Sequence, residues 1–166
     1  MSVPAVRRLV VGVDGSGESV VALRWACREA SLRGAEVHAV HVREAQRVPS
    51  YAIPVQSNPS DATVSVDDLV RSVQADQAPD VQVDVELVDG LPARVLLDRC
   101  ADADMLILGT SSDVPGAMRS AGPVIRDCLR RSPCPVVVIS ANQDPRLRHE
   151  AAARANGARV PLPAGV

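Results

Sequence analysis

The chain has 166 residues, with 18 Lys+Arg against 20 Asp+Glu and a formal net charge of −2. Lys does not occur, so every cation is Arg or His, which excludes a Lys-based phosphate loop, Schiff-base chemistry and a Lys-assisted phospho-acceptor. With no Phe, one Trp and one Tyr there is no aromatic row for single-stranded bases to stack on, and the slightly negative balance leaves no basic footprint for duplex nucleic acid.

After a polar lead-in over residues 1–7, Arg8-Leu-Val-Val-Gly-Val-Asp14 is nearly continuous apolar and predicts a central strand. Gly15-Ser-Gly17 breaks it. A helix is expected from Ser19 to Arg33, with Val20, Leu23, Ala26, Cys27 and Ala30 on one face and Gly34 as its stop. Glu36–Val42 predicts the second strand. Residues 43–61 carry Pro49, Pro54 and Pro59 and read as a loop. A fainter helical pattern over Ala62–Gln77 rests on Val64, Val66, Leu69, Val70 and Val73. Val81–Val88 alternates strictly and predicts a strand with one wet face at a sheet edge.

Pro92 suits the first position of a short helix whose apolar side is Val95, Leu96, Leu97 and Cys100. Asp104–Gly109 predicts a fourth strand that stops at a glycine and runs into a loop of small residues. A helix over Pro123–Arg131 and a last strand over Val136–Ile139 follow. Alternating strands and helices of these lengths predict a mostly parallel α/β sheet with right-handed crossovers. The domain is expected over residues 1–141. Residues 142–166, rich in Ala, Arg, Pro and Gly, read as a polar tail, disordered or with a short helix near Leu147–Ala155.

The segment from Met105 to Val124 is the focus of the functional reading. A strand that ends in a small-residue loop before a helix start offers an anion the unpaired N–H groups and positive dipole end of that helix. Val11-Gly-Val-Asp14 is expected beside it. Asp14 is a candidate for base or ribose contact, with turn capping as the alternative; a nucleophile or phospho-acceptor would want more carboxylates than its Gly and Ser neighbours supply. His38 and His41 are three apart on one strand, so they point to opposite faces and share no metal. No metal ligand set and no catalytic residue are assigned. Ser111, Ser112 and Ser120 lack the strained G-x-S-x-G elbow of a serine nucleophile. Cys27, Cys100, Cys128 and Cys134 have no zinc-site or C-x-x-C spacing. With no secretory leader pattern and no run of transmembrane length, they are expected as reduced thiols in a cytoplasmic protein with no membrane partner.

Four segments resemble the universal stress protein family, over Arg8 to Ser140. They are Val11-Gly-Val-Asp-Gly-Ser16, His41-Val42, Gly90-Leu-Pro-Ala93, and Gly109 onward to Pro133-Cys-Pro-Val-Val-Val-Ile139. The resemblance implies an open five-stranded parallel sheet in the order 3-2-1-4-5 with helices on both faces. It also implies an adenine-nucleotide site at the switch point between the first and fourth strands. The site residues it implies are Val13, Asp14, Val42, Leu108, Gly109, Ser112, Gly122 and Val124. One branch of the family binds ATP through G-x-x-G, nine residues, then G-(S/T). Here the spacing is kept, but Ser112 stands where the second glycine belongs and Pro123 where Ser or Thr belongs.

Pro123 offers neither N–H nor hydroxyl, which removes two phosphate donors at once. Weak or absent ATP binding is therefore expected, with AMP or a cyclic nucleotide as the ligand that depends least on the phosphate end. The alternatives are an ordinary ATP-binding member, or a nucleotide-hydrolysing enzyme, for which only Asp14 and Asp113 are available as carboxylates. The resemblance further implies a homodimer through antiparallel pairing of the Val136–Ile139 edge strand.

Overall fold

The computed structural model describes residues 7–44, 59–110 and 122–140, with the side chains of 59–65 left aside. The elements are β1 (Arg7–Gly12), α1 (Gly17–Arg33), β2 (Ala35–Arg43), α2 (Pro59–Gln77), β3 (Val83–Asp89), α3 (Pro92–Arg99), β4 (Met105–Thr110), α4 (Pro123–Arg131) and β5 (Val136–Ser140). The strands form one parallel sheet in the order β3-β2-β1-β4-β5, as the resemblance implies. The tail expected over residues 142–166 and most of the loop before α2 lie outside the described residues.

Side chains alternate across the sheet and build two cores. Leu9, Val11, Val37, Ala39 and Ile107 pack under α1 and α2. Val10, Val40, Leu106 and Leu108 pack under α3 and α4. Because the central strands are covered on both faces, they read as unbroken apolar runs. β3, at the edge, is more exposed along its length, in line with its alternating sequence.

Element ends differ from the sequence reading where a cap or a turn decides. α1 begins at Gly17 and not Ser19, because Ser16 is its N-cap and its side chain accepts from the Ser19 amide. α2 begins at Pro59, a residue grouped with the loop on sequence but well suited to a first helical turn. β3 begins at Val83 because the Val81 amide is turned back onto the Ala78 carbonyl. Gly34 ends α1 in the left-handed region, φ 61°, with its N–H donating to the Ala30 carbonyl.

One ion cluster ties the edge of the sheet to α3. Glu86 on β3 accepts from Arg99 Nη2 at Oε1 (2.6 Å) and from Arg99 Nε at Oε2 (2.8 Å), and His38 Nε2 on β2 lies 2.7 Å from the same Oε2. The Arg99 hydrogen bonds, with a smaller part from His38, outweigh burial and hold the Glu86 carboxyl down at about 2. A carboxyl lowered on folding stabilises above its ordinary range and loses that contribution as pH falls through 4.5 towards 2. The cluster is partly exposed, so we expect Arg99→Ala to cost on the order of 1 kcal/mol at pH 7. Urea unfolding of both proteins at pH 7 and pH 2.5 checks this: the gap is expected to shrink at the lower pH.

Candidate functional site

The strand order reverses between β1 and β4, and α1, which follows β1, and α4, which follows β4, pack on opposite faces of the sheet and leave a crevice. A cleft of about 480 Å³ opens there, a size that suits a small molecule. Gly12 at the end of β1 and Val13 beyond it, Val40 and Val42 of β2, and Leu108 to Thr110 of β4 line its floor. The starts of three helices form its walls: Asp14 to Ser19 at α1, Pro92 and Leu96 at α3, and Gly122 to Ile125 at α4. Of the residues the sequence singled out, Val13, Asp14, Val42, Leu108, Gly109, Gly122 and Val124 come together in this cleft. Ser112 lies outside the described residues, as do Ser111, Asp113 and Ser120.

Gly109 has a structural reason to be glycine. A Cβ built on it would fall on the Glu18 carbonyl carbon and oxygen and come within 2.9 Å of the Ser19 amide nitrogen. Its lack of a side chain lets the first turn of α1 lie directly on the end of β4, which shapes one wall of the cleft.

Two of these helix starts, those of α1 and α4, are closed differently. At α1 the Asp14 carboxylate accepts from both the amide (2.9 Å) and the hydroxyl (2.5 Å) of Ser16. The Ser16 hydroxyl accepts in turn from the Ser19 amide, and Ser19 Oγ donates to the Ser16 carbonyl. The chain thus fills this helix end with its own carboxylate and cap. At α4 the N-cap is Gly122, which has no side chain to close the end, and Pro123 is the first helical residue. Pro123 brings no N–H, and the amides of Val124 and Ile125 have no acceptor within the helix. The α4 start thus keeps main-chain N–H groups that its own cap does not use.

Asp14 and Glu18 line the cleft, and no Arg lines it among the described residues. Burial pushes the Asp14 carboxyl up, but the hydrogen bonds from Ser16 and Ser19 together outweigh it and hold the group below the usual carboxylate range. Asp14 is therefore ionised at neutral pH and acts as an acceptor. It caps the turn, as one reading of the sequence has it, and it also faces the cleft.

Sequence reasoning left out Ser16, Ser19, Val40, Leu96 and Ile125. The Ser16-to-Ser19 spacing is a legible cap signal. The others are apolar residues whose place in the cleft depends on how α3 and α4 lie on the sheet. His38 and His41 do point to opposite faces: His38 meets Glu86, and His41 Nδ1 lies 2.7 Å from the Val13 carbonyl oxygen. Cys27, Cys100 and Cys128 are fully buried, and burial pushes their thiols up to about 11, about 12 and about 11. They serve as small apolar residues with little thiolate character.

A parallel sheet in this order, with helices on both faces and a cleft at its switch point, defines a Rossmann-like α/β domain. The chain belongs to the universal stress protein family: the model of that family matches residues 5–140. Universal stress protein Rv2005c of Mycobacterium tuberculosis is 31% identical over 144 residues, which cover 81% of this chain and 48% of that protein. The chain spans about half the length of the curated relatives it matches. Among solved structures, UspA from Lactobacillus plantarum superposes with a TM-score of 0.65 at 23% identity, covering 80% of this chain and 97% of that one. A universal stress protein in complex with cAMP superposes with a TM-score of 0.61 at 22% identity, covering 82% and 98%. Among the described residues no helix is long and apolar enough to cross a membrane.

Proposed function

We propose that the chain is a cytoplasmic binding protein of the stress response that takes an adenine nucleotide into the cleft between β1 and β4 and holds the nucleoside end better than a triphosphate tail. The observation that carries this reading is the α4 start, where Gly122 and Pro123 leave only main-chain donors at Val124 and Ile125. Val40, Val42 and Leu108 offer a purine an apolar floor, and Asp14 offers an acceptor to ribose hydroxyls or to the base. A single phosphate is met by the two amides and the α4 dipole. A triphosphate also needs the donors that Pro123 lacks, and it brings its charge near Asp14 and Glu18. The cAMP carried by a structural neighbour supports a ligand of the low-charge kind.

Millimolar AMP and cyclic AMP are expected to raise the melting temperature by several degrees, since a ligand at about 100 times its Kd adds about 2.7 kcal/mol to stability. Absence of any shift with both removes the reading. The protein acts by binding and not by turnover: phosphate release from ATP in magnesium is expected at background, with no change in Asp14→Ala. Release that Asp14→Ala abolishes would instead establish an enzyme. Two copies pair through Val136–Ile139, which lie on the edge strand β5 where Val138 is 36% exposed. A monomer in sedimentation velocity at micromolar concentration contradicts that pairing.

A further inference from the structure

The chain leaves β1 in an unusual way. The β1–β2 ladder ends at Gly12 opposite Val40, and β1 pairs with β4 only from Leu9 to Val11. Val13 is the first residue beyond both ladders, yet it is only 3% exposed. Its amide is satisfied by the Val40 carbonyl at 2.9 Å. Its carbonyl needs a donor as well, since a buried main-chain carbonyl left without one is costly. That donor is His41 Nδ1, on the opposite face of β2 from Val40 and Val42. A carbonyl only accepts, so His41 carries its proton on Nδ1 in this contact.

The turn into α1 follows directly on Val13. Asp14 accepts from Ser16, Gly15 turns the chain at φ 83°, and Ser16 caps α1. His41 does not line the cleft. We propose that His41 is a positioning residue for the nucleotide site, fixing the Val13–Asp14 turn from behind through the Val13 carbonyl, so that Asp14 is held at the cleft mouth in one orientation. This rests on the reading of the cleft as a nucleotide site, and it adds a residue that touches no ligand.

Two variants separate positioning from bulk. His41→Asn keeps an N–H donor near the place of Nδ1, and His41→Leu fills the space without one. By calorimetry, His41→Leu is expected to bind AMP about tenfold more weakly, as loss of one anchoring hydrogen bond implies, while His41→Asn stays within about threefold of the parent. Hydrogen exchange without ligand gives a second readout. The Ser16 amide, which donates to Asp14, is expected to exchange faster in His41→Leu than in the parent, with core amides of β4 unchanged. A Leu variant matching the parent in both readouts overturns the proposal, as does an Asn variant that falls with Leu in both while β4 also loosens. A parent that binds no AMP sinks the nucleotide reading, while the exchange comparison still decides whether His41 orders the turn.

Discussion

Gly109→Ala is expected to cost at least about 3 kcal/mol of stability, which for a domain of this size lowers the melting temperature by about 10 °C or more. The added methyl falls on the Glu18 carbonyl and close to the Ser19 amide, and neither belongs to a flexible side chain. Relief requires that α1 lift from the end of β4. The Ala26, Cys27 and Ala30 face of that helix is packed without exposed surface, so lifting it opens the larger core. Gly122→Ala is the control: a Cβ there meets none of the described atoms within 4 Å, so its cost is the poorer N-cap alone, about 1 kcal/mol. Urea unfolding of both variants checks the contrast. Equal midpoints mean that α1 does not rest on Gly109 as described.

The second large effect is a gain. Restoring the family's residues with Ser112→Gly and Pro123→Ser is expected to tighten ATP binding about a hundredfold or more. Serine at the first position of α4 supplies an N–H and a hydroxyl to phosphate oxygens. Two hydrogen bonds to a charged group, at about 1.5–3 kcal/mol each, give about 3–6 kcal/mol before costs. The opposing cost is small, since losing proline at this position gives up roughly 0.4–1 kcal/mol through the unfolded chain. AMP affinity should move less, because its single phosphate already has Val124 and Ile125. Calorimetry on parent and double variant with both nucleotides reads the two effects separately.

Much of the fold was legible because its signals are local. Pro123 at a helix start and Gly34 at a helix end are where the sequence placed them, and the unbroken apolar runs of β1 and β4 mark them as central strands. The strand order came from resemblance, since periodicity does not say which strands are neighbours. Boundaries were less legible where a side chain sets them, as Ser16 does for α1. The site was legible as a set of strand and helix ends. Two of its reasons were not. Gly109 is glycine because of a residue 91 positions away, Glu18, and only the packed helix reveals that. The His41 contact with Val13 depends on the register of two strands and on a carbonyl left over where their ladder stops.

On the proposed function, the cleft takes an adenine nucleotide mainly by its nucleoside end. Calorimetric titration of the unaltered protein with AMP and with ATP, side by side in magnesium, tests this. AMP is expected to bind at least as tightly as ATP. ATP binding a hundredfold tighter than AMP would contradict it, because the triphosphate would then be held by donors other than the two amides at the start of α4.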